Sequence, residues 1–379
     1  MAEHNGAATL SVAALSAPGA APQGAPIVWV DGAEPGAAVA AAGSKMGRLA
    51  ELHAAGVDVP RGFAITVDAY RCHCAESGLD RRIEAVIGRL GAEPSDAQIE
   101  AASAEIRGLV EATPIADGLA ARITAAYEEL CLRCVDVNVP TAVRSSATGE
   151  DAADASFAGI FDTYLGVAGI DRVLDAVRRC WGSLFTGRAL AYRLRKGISH
   201  HAMPIAVGVI ELIHARASGV AFSVHPVTGK PDRIVIETSW GWGEAIVQGL
   251  VDPDHVEIGK ADGRILKYHV AHKKTVSAFD FAAGRVTEID MPANLADRRV
   301  LDDEQIAAVA KAVAAIEQHY GYPVDVEWVI SRHRRPGDPV CIVQSRPVTV
   351  TAPTATATAY DPVALAQKYV FSGKPILGR

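Results

Sequence analysis

The 379-residue sequence has no long hydrophobic run and no excess of positive charge. Apolar residues make up 49% of the chain, yet no run of about 18 of them occurs, so no membrane span is predicted. The net charge is −7, which argues against nucleic-acid binding as the main function. The first residues, Met1 to Gly6, lack the cationic start and apolar centre of a secretion signal. These features predict a cytoplasmic globular protein.

Cysteine is also scarce, with six in the chain. Cys131 and Cys134 form a C-x-x-C within a helical pattern that lacks the strands of a redox motif, so we interpret them as thiols on a helix face. The run Cys72-His73-Cys74 has two interpretations. It is either part of a zinc site or, as is more common for such a pair, a segment of a packed helix.

With 379 residues, the chain is long enough for two or three compact units. Residues 1–26 are rich in Ala, Gly and Pro and predict a disordered extension. Residues 27–203 combine short strands with a helical scaffold, and residues 204–350 are mainly short strands with one helix that begins at Asp302. Residues 351–379 begin with a low-complexity linker and are predicted to form a separate tail.

The first candidate site follows a short apolar run at residues 141–143. This predicted strand leads to Arg144 and to the hydroxyls of Ser145 and Ser146, within a segment of small residues that extends to Gly159. A guanidinium presents a fixed fork of donors to phosphate oxygens, and glycine lets the backbone approach a ligand closely. The alternative is an ordinary solvated loop, and the segment by itself does not decide between the two.

The second candidate is a lysine at a predicted helix start. A helix is predicted to begin near Ala42, so that Lys45, preceded by Gly43 and Ser44, falls in its first turn. The unpaired N–H groups at a helix start repel a cation, so a lysine there indicates an anion bound beside it. The alternative is a surface lysine with no ligand.

The third candidate is a predicted hairpin. Alternation within residues 324–330 places Asp325 and Glu327 on one face of a strand, and on the returning strand Gln344 and Arg346 also share a face. Two carboxylates and an amide oxygen are ligands that suit Mg²⁺, with phosphates and waters completing its shell. The alternative is a solvated strand face that carries a cross-strand ion pair.

These segments together resemble one known family. The nucleotide-binding part of phosphoenolpyruvate synthase, pyruvate phosphate dikinase and rifampicin phosphotransferase has similar motifs in the same order. The matching segments of this sequence are Gly43–Lys45, Val143–Asp151, Ser156–Gly159, Asp325–Trp328 and Val343–Pro347. The resemblance extends from Ile27 to about Val350. It implies an ATP-grasp fold, in which two α+β lobes clamp ATP between them.

The resemblance also implies roles for individual residues. The residues that would contact phosphates and act in catalysis are Lys45, Arg144 and Arg346. Gly159 and Thr163 would belong to the phosphate-covering segment, and Ser145 would also bind the nucleotide. The residues that would hold Mg²⁺ beside Arg346 are Glu327, Gln344 and Asp325.

One segment departs from the family pattern. The family commonly has Gln-x-Met at the hinge beside adenine, whereas this chain has Ile210-Glu211-Leu212. The glutamine side-chain contact is therefore absent. The resemblance then leaves recognition of adenine to Ile210 and to backbone groups from Glu211 to Ile213.

The phosphate-carrying histidine of the family lies in a separate swivelling domain, in a Thr-x-His-Ala-Ala-Ile type of motif that this sequence lacks. Residues 369–379 look like the first residues of that domain. We therefore hypothesise that the histidine is on a partner subunit, as in phenylphosphate synthases, whose ATP-binding subunits this chain resembles. ATP would give AMP and phosphate, and the phosphohistidine would then phosphorylate phenol. The alternatives are a related enzyme that phosphorylates pyruvate or an antibiotic, and a non-catalytic nucleotide-sensing subunit.

Overall fold

A computed structural model describes residues 24–32, 36–91, 93–147, 162–243, 251–280 and 285–348. Two large antiparallel sheets, a separate two-stranded sheet and a group of helices form this part of the chain. Helices that are segregated from antiparallel sheets define an α+β fold, which confirms the predicted class. Within these ranges, no helix is long and apolar enough to cross a membrane.

The first sheet has five strands in the order β1-β2-β5-β3-β4, and every neighbouring pair is antiparallel. The strands are β1 Ile27–Trp29, β2 Gly62–Ile65, β3 Thr141–Ala147, β4 Thr163–Val167 and β5 Ile205–Glu211. Strand β3 is buried along its whole length because it lies between two other strands and is covered on both faces. The strand predicted before Arg144 is therefore an interior strand of this sheet.

In the described part of the chain, six helices contribute to one core cluster with this sheet. They are α2 Val67–Glu76, α3 Leu79–Ile87, α4 Asp96–Ala112, α5 Asp117–Cys134, α6 Ile170–Gly182 and α7 Gly187–Lys196. Trp181 and Phe185 lie fully buried among them, against Val143 and Val207 of the sheet. This part of the protein is a scaffold that supports one face of the first sheet.

The second sheet has six strands in the order β13-β12-β6-β7-β8-β9. Its strands are β6 Ala215–Phe222, β7 Arg233–Trp240, β8 Asp254–Gly259, β9 Ile265–His269, β12 Val324–Ser331 and β13 Cys341–Pro347. Strands β10 Thr275–Asp280 and β11 Arg285–Asp290 pair separately, followed by α8 Ala293–Ala296 and α9 Asp303–Tyr320. Helix α9 begins after Asp302, as predicted, and a capping box of Asp302 and Gln305 satisfies two backbone N–H groups there.

Helix α1 Ala37–Ala54 connects the two sheets. Its residues Met46 and Leu49 belong to a core cluster that also contains Ala142 of β3 and Trp328 of β12. At the surface of the same contact, Arg48 donates a hydrogen bond to the hydroxyl of Tyr322 (3.1 Å). The two sheets therefore share a continuous apolar core through α1.

The predicted division between residues 203 and 204 is wrong for the sheets. Strand β5, which was assigned to the second unit, pairs with β2 and β3 in the interior of the first sheet. The change from helical to strand-like pattern at residue 204 marks a change of local structure, but the pattern does not specify which sheet a strand joins. The division between the sheets falls between Glu211 and Ala215.

The two cysteine pairs of the sequence analysis both lie on helices, as the helical interpretation predicted. Cys131 and Cys134 lie on α5, while Cys72, His73 and Cys74 lie on α2. The His73 ring stacks on Trp181 with centroids 4.8 Å apart, and burial raises the pKa of the Cys74 thiol to about 12. Among the described residues, Cys72, His73 and Cys74 do not bring three ligand atoms together as a zinc site would. The segment is therefore part of the packed core of the scaffold.

Candidate functional site between the sheets

The start of the candidate site is a break in helix α1 at Gly43. Gly43 has φ 73° and ψ 172°, so helical geometry resumes only at Ser44 and places Lys45 in a first turn, as predicted. The Ser44 hydroxyl donates to the backbone oxygen of Ala147 (3.1 Å), and the Met46 N–H donates to the Ser146 hydroxyl (3.2 Å). These bonds attach the helix start to the end of β3.

Strand alternation separates the two serines that follow Arg144. Ser146 holds the start of α1, on the same face of β3 as Arg144, whereas Ser145 lies on the opposite face. The Ser145 hydroxyl donates to the backbone oxygen of Asp162 (3.0 Å), and the residue is completely buried. The structure therefore contradicts a phosphate-contacting role for Ser145, and Ser146 takes its place on the site's face.

Arg144 connects the first sheet to the second. Its Nη1 donates to the backbone oxygen of Val343 (2.9 Å) and its Nη2 donates to the Oε1 of Gln344. The residue is 8% exposed, and its Nε is buried without a hydrogen-bond partner in the described chain. Thr163, which is exposed, lies directly opposite Arg144 on β4.

The predicted hairpin is β12 paired with β13. Its register places Asp325 directly opposite Arg346, and Glu327 directly opposite Gln344, before a bulge at Trp328. Opposite residues of an antiparallel pair share a face, so the four polar side chains form one surface as expected. This surface contacts β3 through Arg144.

The two carboxylates on this surface differ in their contacts. Asp325 is 5% exposed, and its Oδ2 pairs with the Nε of Arg346 at 2.8 Å. Glu327 is half-buried, and no residue that the structure describes forms a hydrogen bond or ion pair with it. Asp325 therefore holds Arg346 in position, while Glu327 presents a carboxylate to the space beside Gln344.

Positive charge is concentrated on the β3 side of the site. Cys180 of α6 is fully buried next to β3, with its Sγ 3.7 Å from the backbone oxygen of Val143. Burial raises the pKa of the Cys180 thiol and Asp162 raises it further, whereas Lys45 and Arg144 lower it. Lys45 stands between Ser44 and Met46, which are bonded to the end of β3, so it begins next to the strand that carries Arg144.

The hinge segment, residues 210–213, makes most of its contacts within the protein. The side chain of Ile210 is buried in the shared core, and the Glu211 carboxylate accepts hydrogen bonds from the Arg61 N–H (2.9 Å) and the Cys134 thiol (3.2 Å). The backbone N–H of Glu211 donates to Arg61. At the other end, the Ile213 oxygen accepts from the Trp242 indole (2.9 Å). Most of the groups expected to recognise adenine here therefore already have protein partners.

Two predicted features lie outside the described residues. They are Gly159, with the small-residue segment around it at residues 148–161, and the predicted tail at residues 351–379.

Comparison with known proteins assigns the family. A family model described as "Pyruvate phosphate dikinase, AMP/ATP-binding domain" matches residues 39–367. This range contains the α1 break, Arg144 and the β12–β13 hairpin. The chain belongs to this family.

Relatives within the pyruvate phosphate dikinase family carry the name phosphoenolpyruvate synthase. A probable enzyme of Methanothermobacter thermautotrophicus is 41% identical over 311 residues, which cover 82% of this chain and 44% of the relative. A probable enzyme of Methanocaldococcus jannaschii is 39% identical over 308 residues, covering 81% and 25%. The enzyme of Pyrococcus furiosus is 34% identical over 357 residues, covering 85% and 43%. The chain thus spans less than half of each of these relatives.

The site residues suit the ATP-binding role of this family. Glu327 and Gln344 lie opposite each other and present side-chain oxygens, which are the ligands that Mg²⁺ takes. One carboxylate oxygen of Asp325 is paired with Arg346 instead. The Nε of Arg144, which has no hydrogen-bond partner among the described residues, is a buried donor that an anion would satisfy. The donor set is therefore consistent with a magnesium-bound triphosphate.

Two supporting residues were missed from the sequence. Trp242 anchors the hinge at Ile213, although its Gly-rich context gave no indication of that role. Gly208 lies directly opposite Arg144 on β5, and a Cβ there would be 2.2 Å from the sulfur of Met46. A glycine inside a strand often marks close approach of another element, so Gly208 could have been recognised as the contact point of α1.

Proposed function

We propose that this chain is the ATP-binding subunit of a dikinase-type phosphotransferase, and that it holds Mg-ATP between two lobes of an ATP-grasp-type fold. The observation that carries the proposal is the contact of Arg144 on the first sheet with Gln344 on the second. A guanidinium that forms no ion pair with any described residue meets a pair of oxygen ligands there, and Mg-ATP needs both kinds of group.

The proposed roles follow from the charges of the side chains. Glu327 and Gln344 would hold Mg²⁺, which neutralises phosphate charge when bound. Lys45, Arg144 and Arg346 would bind the phosphate oxygens and oppose the negative charge that accumulates during transfer. Asp325 is better described as the residue that positions Arg346 than as a magnesium ligand, because the two are paired at 2.8 Å.

The proposed reaction consumes ATP, water and a histidine. One phosphoryl group becomes bonded to the histidine nitrogen, a second is released to water as inorganic phosphate, and AMP remains. The histidine would belong to a partner subunit. The family membership supports the ATP-dependent half of this scheme, and the separate subunit is a hypothesis from the sequence.

Two acceptors for the second half-reaction are testable. Phenol follows from the resemblance to phenylphosphate synthases, and pyruvate is favoured by the names of the relatives. This chain's site would act in the same way for either acceptor, because the acceptor would bind elsewhere.

The experiment compares ATP labelled at the β or the γ phosphorus, with and without the candidate histidine-bearing subunit. The proposal expects one label on the partner as an acid-labile, base-stable phosphohistidine, and the other label in inorganic phosphate. Transfer of the label to phenol or to pyruvate then identifies the acceptor. Formation of ADP instead of AMP would contradict the dikinase reaction. Nucleotide binding without any transfer would favour the nucleotide-sensing subunit.

A further inference from the structure

We propose that the β10–β11 hairpin forms one wall of the nucleobase pocket, and that Phe279 and Val286 bind the base by apolar contact. This inference rests on the proposed function, because it names further residues of the same nucleotide site. Ile210, which the family pattern places at the base, is 3% exposed and lies in the core that the two sheets share. Its side chain is therefore not available to a ligand.

An apolar patch adjoins the proposed metal ligands on the same face of the second sheet. Alternation along β12 places Val329 on the face that carries Asp325 and Glu327, one step beyond Glu327. Val329 forms a buried apolar cluster there with Ala215 and Trp242. The face thus changes from charged at Asp325 to apolar at Val329. A nucleotide has the same order of chemistry, with phosphates at one end and the base at the other.

Val343 connects this apolar patch to Arg144. The register pairs Glu327 with Gln344 and the next residue of β12 with Ile342, so Val343 is the extra residue of a bulge. Its backbone oxygen accepts from the Nη1 of Arg144 (2.9 Å), and its half-buried side chain packs against the cluster. The patch therefore begins beside the guanidinium that is proposed to bind phosphate.

The β10–β11 hairpin contributes two further apolar side chains. Phe279 and Val286 lie directly opposite each other, so they share one face of the hairpin. Both are half-buried, and both pack against the cluster that contains Trp242. The Phe279 and Trp242 rings are tilted by 56°, with centroids 6.3 Å apart. Apolar and aromatic side chains that keep part of their surface exposed are typical of the walls of a ligand pocket.

Contacts with both sheets hold the hairpin beside the site. The Trp242 N–H donates to the backbone oxygen of Ser277 (3.3 Å), and Gly241 forms a β-bridge with Ser277. On its other side, β11 packs against β4, where Thr163 lies opposite Arg144. The hairpin is therefore positioned by the same strands that carry the site.

Apolar contact suits the polar groups that remain at the hinge. The Ile213 oxygen already accepts from the Trp242 indole (2.9 Å), and the Glu211 N–H already donates to Arg61. Stacking of a base on an aromatic ring needs no hydrogen bond, because every base has a flat π-face. We therefore expect the Phe279 ring to contribute most to binding of the base.

The test compares two ligands of the full chain by isothermal titration calorimetry. They are Mg-ATP and Mg-tripolyphosphate, which has the phosphates but no base. Phe279→Ala removes the ring and is expected to raise the Kd for Mg-ATP about tenfold. The Kd for Mg-tripolyphosphate is expected to change less than about twofold, because the cations and the metal ligands stay in place. A merely structural role of Phe279 would raise both values.

Three further variants separate contact with the base from the folding of the hairpin. Phe279→Tyr keeps the ring and should keep the wild-type Kd for Mg-ATP. Val286→Ala is a smaller change in the same wall, which should raise the Kd for Mg-ATP about threefold and which tests the pocket if Phe279→Ala does not fold. Ile289→Ala is the matched control, since Ile289 lies on the opposite face of β11 and is 47% exposed. It should leave both Kd values unchanged.

Two outcomes would overturn the inference alone. They are an unchanged Kd for Mg-ATP in both Phe279→Ala and Val286→Ala, and an equal rise for the two ligands in these variants. The proposed function would survive either outcome if Arg144→Lys weakens both ligands. If the wild-type chain binds neither ligand, the proposed function is wrong and the inference falls with it.

Discussion

The side chains of Arg144 and Gln344 form a hydrogen bond between two sheets, although they are 200 positions apart in the sequence. The same guanidinium also binds the backbone oxygen of Val343. Mg²⁺ and a guanidinium would compete for the Gln344 oxygen, because both are cations. We therefore expect Mg-ATP to replace this contact, with phosphate oxygens binding Arg144 and the amide oxygen turning to the metal.

The first prediction concerns the substitution Arg144→Lys. Lysine keeps the positive charge but lacks the planar fork that binds two oxygens at once. The Kd for Mg-ATP is expected to rise about tenfold or more, which corresponds to about 1.4 kcal/mol. Isothermal titration calorimetry measures this change.

The matched control for this substitution is Arg216→Lys. Arg216 is an exposed arginine on β6, close to the Trp240 ring. Its substitution should leave the Kd unchanged. An unchanged Kd in Arg144→Lys would show that the fork geometry of Arg144 is not used for the nucleotide.

The second prediction concerns Glu327→Gln. This change removes a carboxylate that no described residue neutralises, so its main effect should be on the metal and not on stability. The Mg²⁺ concentration that gives half-maximal ATP binding is expected to rise about tenfold. The affinity for ATP in the presence of EDTA should change little. A magnesium titration at fixed ATP separates the two effects.

Asp325→Asn is the comparison for Glu327→Gln. It removes the charge of Asp325 from the ion pair with the mostly buried Arg346, which should lower the free energy of unfolding by about 2 kcal/mol. The magnesium dependence should change less than in Glu327→Gln. If Asp325→Asn raises the Mg²⁺ concentration for half-maximal ATP binding more than Glu327→Gln does, Asp325 is the ligand and our assignment is wrong.

Local periodicity was sufficient to predict the hairpin surface. Alternation fixes which residues share a strand face, so Asp325, Glu327, Gln344 and Arg346 could be grouped before any contact was known. The same rule was available for β3 and would have favoured Ser146 over Ser145. The error at Ser145 came from the motif, which lists both serines without regard to the face of the strand.

Long-range pairing could not be predicted in the same way. Nothing in residues 205–211 specifies that β5 lies between β2 and β3, because strands of either sheet can have the same apolar pattern. The bond from Arg144 to Gln344 depends on the way α1 packs against both sheets. That packing depends on Gly43 and Gly208, whose importance is visible only when their neighbours are known.

The third prediction concerns Gly43→Ala. At φ 73° and ψ 172° the backbone of Gly43 is in a region that only glycine adopts readily, and an added Cβ would be 2.0 Å from the backbone oxygen of Ser146. The free energy of unfolding should fall by about 3 kcal/mol, and the Kd for Mg-ATP should rise because Lys45 is displaced. Urea unfolding and titration calorimetry measure the two effects.

Gly56→Ala provides the control for backbone conformation alone. Gly56 also has a positive φ, of 80°, but no heavy atom lies within 4 Å of its added Cβ. Gly56→Ala should lower the free energy of unfolding by about 1 kcal/mol and should have no effect on nucleotide binding. Equal costs for the two variants would show that the contact of α1 with β3 tolerates a methyl group.

The fourth prediction is a loss of stability in mild acid that depends on His73. His73 is 2% exposed, and burial lowers its pKa from 6.5 to about 4, with a smaller effect from Arg178. Well above pH 6.5, the His73 ring is neutral in both the folded and the unfolded protein. Below pH 6.5 the unfolded chain binds a proton that the folded protein does not, so stability falls until about pH 4. The loss from this group between pH 7 and pH 5 should be about 2 kcal/mol.

The substitution His73→Phe removes this proton but preserves a ring that can stack on Trp181. Urea unfolding measures how much the free energy of unfolding falls between pH 7 and pH 5. In His73→Phe this fall should be about 2 kcal/mol smaller than in the wild-type protein. His269→Gln, which changes an exposed histidine on β9, should retain the full wild-type difference. The same pH dependence in His73→Phe and wild type would mean that His73 takes up its proton equally in the folded and unfolded states. Burial against Trp181 would then not exclude the charged ring.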